Sequence, residues 1–210
     1  MKRLILVAVV ALFAIAPLAA QSAKGWMVRA DRSTSASDPD GAGDIKFMAM
    51  GGGFHAINPT AAVYWNPANT ASGNYTVKGS FKLLKPSGHV NYYGLVLGGS
   101  NLDNEKQAYL YFLVAQNGMW MISRRTPDAP RPVAVAPKTA NDVVAKPGAD
   151  GTSVNALEVR VAGDKVDFVV NGTVVHSAPK ADLGITTDGI AGLRVNHLLE
   201  VMITGFEVTK

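Results

Sequence analysis

Aromatic residues that could bind a ligand recur on stretches of the sequence that have the alternating pattern of β-strands. An aromatic plane stacks on the C–H face of a pyranose, and the polar tip of a tyrosine or tryptophan adds a hydrogen bond. Rings at alternate strand positions also fill the core of a β-sandwich, and this alternative stays open. The rings concerned are Tyr64, Trp65, Tyr92, Tyr93, Tyr109, Tyr111 and Trp120.

Two adjacent tyrosines are the most informative of these rings, and two side chains of other types join them as candidates. Tyr92 and Tyr93 point to opposite faces of a strand, so one of them must leave the core. Arg124 follows Trp120 and could clamp an anionic sugar, although an exposed strand end also explains it. His55 follows a triple glycine and could line a groove, or it is a surface histidine. The candidate ligand-binding residues are Trp65, Tyr92, Tyr93, Tyr111, Trp120, Arg124 and His55.

The sequence predicts no metal site and no cofactor. The four histidines are isolated in the sequence. None of them has another histidine or an acidic residue at the spacing that zinc ligands usually show. Calcium was considered for Asp38, Asp40 and Asp44, but an Asp-Pro-Asp-Gly turn explains these residues more simply. The chain has no cysteine, which excludes thiol chemistry and disulfides.

Short strands separated by turn residues are the elements that must position these side chains. Asn117-Gly118 between two apolar runs predicts a β-hairpin. Residues 156–176 predict a three-stranded meander with turns at Gly163-Asp164 and Asn171-Gly172. Five prolines predict an extended surface loop at about residues 125–150. No segment has a helical period, so we expect an all-β fold, an antiparallel β-sandwich of the jelly-roll type.

The amino terminus predicts export. Lys2 and Arg3 precede an apolar run from Leu4 to Ala16, and small residues follow up to Ala20. This order is that of a secretory signal peptide, and the run is shorter than the about 20 residues that cross a bilayer. We therefore expect a signal peptide at residues 1–20 and a single β-sandwich domain at 21–210. The mature chain should be periplasmic or secreted and should contain no membrane span.

The charge of the chain does not favour a nucleic-acid partner. The formal net charge is +4, and two of the positive charges would leave with the signal peptide. The remaining lysines and arginines are scattered, as on solvated strand edges, whereas nucleic-acid binding requires a clustered basic face.

The second half of the chain resembles a known superfamily. Its strands include Asn155 to Val161, Val166 to Gly172, Gly189 to Val195 and the closing Phe206 to Val208. Their order and turns resemble the concanavalin A-like lectin/glucanase superfamily, above all the laminin-G-like and 3-keto-disaccharide-hydrolase-like domains of exported bacterial proteins. The likeness covers roughly residues 60–210. It implies two curved antiparallel sheets, of which the concave one commonly holds sugars.

One motif of that superfamily is missing. Its glucanases carry Glu-x-Asp-x-x-Glu on one strand, because retaining hydrolysis requires two carboxyl groups about 5–5.5 Å apart. The nearest acids here, Asp103 and Glu105, fall in a predicted loop. We therefore favour an exported module that recognises a sugar or related polar ligand on a concave sheet. The alternatives are a hydrolase acting on modified disaccharides, with Glu158, Glu200, Asp103 or His55 as acid or base, and a structural envelope domain.

Overall fold

The structure, a computed structural model, describes residues 21–210 of the chain. The predicted signal peptide at residues 1–20 lies outside the described residues. Within residues 21–210, no helix has the length and apolar character needed to span a membrane.

The described residues form two antiparallel sheets and one short 3₁₀ helix, Lys180–Leu183. Sheet A has eight strands, in the spatial order β1 (Gln21–Ser22), β3 (Lys46–Met50), β4 (Gly53–Asn58), β15 (Leu199–Thr209), β6 (Tyr75–Lys85), β11 (Ser153–Ala162), β12 (Lys165–Val170) and β13 (Thr173–Pro179). Sheet B has seven, in the order β10 (Val133–Ala140), β9 (Met119–Arg125), β8 (Ala108–Ala115), β7 (Tyr92–Ser100), β14 (Gly189–Val195), β5 (Ala61–Ala71) and β2 (Met27–Asp31). The predicted all-β sandwich is confirmed.

The predicted hairpin and the predicted meander are confirmed by the register. Gly118 adopts a φ of 86°, which favours glycine, and the hairpin that it helps to form pairs Val114 with Trp120. The meander of β11, β12 and β13 pairs Val159 with Phe168 and Phe168 with His176.

The hydrophobic core lies between the two sheets. On β6 and β11 of sheet A, buried and exposed residues alternate, so Phe81 and Leu157 face the core while Lys82 and Glu158 face solvent. Strands β7 and β8 of sheet B lack this alternation and are buried on both faces. Their outward residues join a second apolar cluster, the outer cluster: Val63, Trp65, Tyr92, Val96, Leu102, Tyr109, Tyr111, Leu113 and Ala115.

The prediction of a continuous loop at about residues 125–150 is wrong in part. Residues Val133–Ala140 form β10, which pairs with β9 at the edge of sheet B. Pro137 lies within this strand, and the register shifts on both sides of Ala136. An edge strand with irregular pairing accepts proline because not every backbone N–H there must donate to a neighbouring strand.

Candidate functional site

The alternation of sheet B divides the predicted ligand-binding residues between its two faces. Trp65, Tyr92 and Tyr111 belong to the outer cluster, on the face of sheet B that points away from sheet A. Tyr93 and Trp120 belong to the core between the sheets. The prediction that Tyr92 and Tyr93 face opposite sides is therefore confirmed, and Tyr92 is the one outside the inter-sheet core.

Tyr93 and Trp120 must be removed from the set of candidate ligand contacts. Tyr93 has no exposed surface, and its hydroxyl accepts a hydrogen bond of 3.3 Å from Nδ2 of Asn155. Trp120 packs edge-on against Phe112, with ring centroids 6.4 Å apart. Both rings fill the sandwich, as the core alternative proposed, because their strand positions point toward sheet A.

Arg124 and His55 also lie away from the three outer rings. Arg124 pairs with the core residue Leu110, and its Nη1 donates to the carbonyl oxygen of Leu183 at 3.3 Å. Its neighbour Arg125 pairs with Tyr109 and so lies on the outer face. His55 is on β4 of sheet A, where its Nε2 is 2.9 Å from Oε1 of Glu200. The seven predicted residues therefore do not form one site.

A polar group that sequence reasoning did not identify lies beside the outer rings. Arg194 of β14 forms a salt bridge with Asp31 of β2, and its Nη1 is 2.9 Å from the hydroxyl oxygen of Tyr109. The Tyr109 hydroxyl is in turn 3.3 Å from Oδ2 of Asp31. The three residues therefore form a closed, charge-assisted network on the outer face.

Burial and charge act in opposite directions on this network. Burial by itself would lower the pKa of Arg194, but the oxygen atoms of Tyr109, Asp31 and Tyr111 raise it above its ordinary value. Burial likewise would raise the pKa of Asp31, but the charge and hydrogen bond of Arg194 hold that pKa below its ordinary value. Both groups are therefore charged at neutral pH.

Cations cover the faces of two outer rings. Nζ of Lys138 is 5.2 Å from the centroid of the Tyr92 ring, and the guanidinium carbon of Arg194 is 5.4 Å from that of Tyr111. Both distances are typical of cation–π contacts. Tyr92 and Tyr111 are each only 4 % exposed. A ligand that stacks on Tyr92 must therefore displace the side chain of Lys138. This side chain is exposed and forms no salt bridge or side-chain hydrogen bond with the described residues.

The outer face is also basic. Arg29 of β2 lies at its edge and bonds to the loop between β7 and β8 through the Asn104 carbonyl and the Glu105 carboxylate. Three arginines, Arg29, Arg125 and Arg194, lie near the carboxylate of Asp31. Arg29 also pairs with Glu105, and Lys138 adds a fourth cation over Tyr92 without a carboxylate partner among the described residues. The charge balance favours a ligand that carries negative charge or many oxygen acceptors.

A sequence signal for Arg194 did exist. The residues of β14 read GIAGLRV, so a single charge interrupts an apolar strand. Such a charge in a buried strand requires a partner. The identity of that partner could not be predicted, because Asp31 is 163 residues away.

A separate cleft of about 720 Å³ lies where the ends of β4 and β6 meet the starts of β3 and β15. Its lining includes Asp44, Lys46, Lys85 and Glu200. Glu200 is the partner of His55, so this pair stands at the cleft and on the opposite side of the sandwich from the outer rings.

Several solved structures have a fold similar to that of this chain. No protein-family model matches the chain, and no curated protein matches it either. Among solved structures, the carbohydrate-binding module CBM66 from Bacillus subtilis is 13 % identical with a TM-score of 0.57, over 89 % of this chain and 96 % of that one. A candidate glycosyl hydrolase from Parabacteroides distasonis is 14 % identical with a TM-score of 0.53, over 78 % of this chain and 89 % of that one.

A third similar structure is a Bacillus subtilis protein of unknown function with a galectin-like fold. It is 12 % identical, has a TM-score of 0.50, and is matched over 89 % of both chains. At these identities the likeness concerns architecture, and the same architecture serves both a binding module and a candidate hydrolase. The chain thus has a galectin-like jelly-roll sandwich fold.

Proposed function

We propose that this protein recognises a carbohydrate or a related polar ligand on the outer face of sheet B. The observation that carries the proposal is the outer cluster itself, where Trp65, Tyr92 and Tyr111 come from three different strands to one face. The Arg194–Asp31 pair lies within the same face. The similarity of the fold to a carbohydrate-binding module supports the proposal.

The chemistry of this face suits a sugar. The ring of Tyr92 offers a plane for the C–H face of a pyranose once the side chain of Lys138 moves aside. The partly exposed network of Arg194 and Asp31 supplies fixed donors and acceptors for hydroxyl groups. The excess of arginine and lysine favours saccharides with carboxylate or sulfate groups. Lys138 is then both the side chain that a ligand displaces from Tyr92 and a cation that can pair with that ligand.

A glycan array tests the proposal. We expect the wild type to bind a subset of glycans and the Tyr92→Ala variant to lose most of that binding. Lys138→Ala changes an exposed side chain at the same place and should weaken binding to acidic glycans, while Lys82→Ala, an exposed lysine on the outer face of sheet A, serves as its matched control. Binding that is equal in the wild type and in Tyr92→Ala would contradict the proposal. Trp120→Ala is a poor probe because this ring belongs to the core.

A hydrolase acting on modified disaccharides is the second candidate function. It is favoured by the His55–Glu200 contact of 2.9 Å at the cleft, since a carboxylate beside an imidazole can serve in acid–base catalysis. Release of product from a panel of disaccharides by the wild type, and its loss in Glu200→Gln, would support this candidate. If the protein shows no binding in the first assay and no turnover in the second, the structural envelope domain is favoured.

We also propose that the protein is exported, to the periplasm or to the medium. The support is the charged, apolar and small-residue order of residues 1–20. Amino-terminal sequencing of the protein from an exporting host should give Gln21 as the first residue. A mature chain that begins at Met1 would contradict the proposal.

A further inference from the structure

Three loops bring two histidines and an aspartate together at one end of the sandwich. Asp38 lies between β2 and β3, His89 between β6 and β7, and His197 between β14 and β15. Nε2 of His89 is 2.9 Å from Oδ1 of Asp38, and Nε2 of His197 is 3.2 Å from the same oxygen. The two Nε2 atoms are 3.1 Å apart. Three potential ligand atoms therefore surround one point.

Neutral histidines cannot satisfy all of these contacts with their own protons. Nδ1 of His197 is 3.2 Å from Oδ1 of Asp40, so this nitrogen carries the proton that it donates there. Neutral His197 then turns a bare lone pair at Nε2 toward the Asp38 carboxylate. The side-chain amide of Asn91 is 3.0 Å from Nε2 of His89. When the amide donates there it uses the single in-plane lone pair of that nitrogen, so His89 can bind an ion only if Asn91 gives up this contact. The Nε2 lone pair of His197 therefore faces the Asp38 carboxylate and repels it unless a cation stands between them.

We propose that Asp38, His89 and His197 bind a divalent transition-metal ion, for which zinc is the best match. Zinc lies about 2.0–2.2 Å from imidazole nitrogen and carboxylate oxygen, which places tetrahedral ligands about 3.4 Å apart. The three separations of 2.9, 3.1 and 3.2 Å fall within a few tenths of an ångström of that value. Two imidazoles favour zinc, copper or nickel over calcium and magnesium, which prefer oxygen ligands.

The surroundings of the three ligands complete the site. Asp40 holds the second ring nitrogen of His197, an arrangement that fixes the orientation of a ligand histidine and increases its basicity. The side chains of His89 and Asp38 are 45 % and 51 % exposed, so the ion has an entry path from solvent. A set of three protein ligands leaves a fourth position for water or for an oxygen atom of a bound ligand.

The proposed site differs from the sequence-based expectation of no metal site. That expectation depended on short spacings between ligands. Here the two histidines are 108 residues apart, and only the sandwich topology brings their loops together.

The competing explanation is an ion cluster without metal, in which both histidines are protonated and bind Asp38. Isothermal titration calorimetry of the purified protein with Zn²⁺ after chelator treatment separates the two explanations. We expect one Zn²⁺ per chain in the wild type. His89→Ala and Asp38→Asn should abolish that binding or weaken it by more than tenfold, and Asp40→Asn should weaken it by about tenfold. His176→Ala, which removes a histidine from the distant strand β13, should bind as the wild type does.

A separate measurement tests whether the variants are folded. His89 and Asp38 are largely exposed, so thermal melts of both variants in chelator should match that of the wild type. Anomalous diffraction at the zinc edge from wild-type crystals soaked in Zn²⁺ should place a single ion between the three ligand atoms. A wild type without a saturable site would overturn the proposal, and so would a His89→Ala variant that still binds one Zn²⁺ with wild-type affinity.

Discussion

Arg194 is a charged side chain on a strand that otherwise consists of apolar residues and glycine. Its partner Asp31 is at the end of the edge strand β2, while Tyr109 comes from the central strand β8. The network therefore connects the edge of sheet B to its middle across the outer face. Because both charged groups are largely buried, the loss of either charge leaves the other without compensation.

Acid titration should reveal this pair. Burial raises the pKa of Asp31, but the charge and hydrogen bond of Arg194, with the charges of Arg125 and Arg29, outweigh it and lower this pKa in the folded protein. Such a group stabilises the fold fully above its ordinary pKa of 3.8, and the contribution disappears as the pH falls from there through the folded-state pKa. We expect the free energy of unfolding of the wild type to decrease more steeply below about pH 4 than that of Asp31→Asn. Urea unfolding at a series of pH values measures both slopes, and equal slopes would exclude the pair as a source of acid sensitivity.

The alternation of side chains along a strand shows which residues share a face, but it does not show which face points to the core. The strand period required Tyr92 and Tyr93 to face opposite sides, and it required the same of Arg124 and Arg125. It could not say which member of each pair faces the other sheet, since that depends on the packing of sheet A against sheet B. The sequence therefore did not indicate that Arg124 lies on the core side of its strand and that Arg125 is the residue beside the outer cluster.

The strands and turns of the second half were predictable because their signals are local. The Asn-Gly hairpin and the meander of β11 to β13 follow from turn residues and alternation. Strand β10 was not predictable in this way, since its proline content favours a loop and its pairing with β9 is a tertiary effect. The segment after β10 is held by the buried side chain of Asn155 of β11, by the Asn171 amide, which donates to the Val143 carbonyl, and by the core residue Val144.

Asn155 has no exposed surface and anchors this segment through both atoms of its amide. Its Oδ1 accepts from the backbone N–H of Ala145 at 2.8 Å, and its Nδ2 donates to the Ala145 carbonyl at 3.1 Å. Asn155→Ala leaves these backbone groups and the Tyr93 hydroxyl without partners, so we expect a loss of about 1–3 kcal/mol in the free energy of unfolding. Chemical denaturation measures this loss, and faster hydrogen exchange at Ala145 should accompany it.

The neighbouring position provides the control for that variant. Val154 is 51 % exposed on the same strand, and Val154→Ala should change stability by less than about 0.5 kcal/mol. If the two variants were equally stable, the amide of Asn155 would not be an anchor.

At the scale of the whole molecule, the two sheets present different outer surfaces. Sheet A shows solvent the alternate polar residues of β6 and β11, whereas sheet B carries the outer cluster with cations above its rings. The β-sandwich and the strands that carry the aromatic rings could be predicted from the alternation of the sequence and from its resemblance to a known superfamily. The gathering of Arg194, Asp31 and Tyr109 could not, because it depends on contacts between strands that are distant in the sequence.

The location of the bound ligand tests the central claim most directly. An acidic glycan selected on the array, titrated into the isotope-labelled protein, should shift the backbone amide resonances of β7, β8, β9 and β14 and leave those of β6 and β11 nearly unchanged. Lys138→Ala should reduce these shifts, and Lys82→Ala should not. Shifts confined to the cleft around Glu200, or to the outer face of sheet A, would contradict carbohydrate recognition on sheet B.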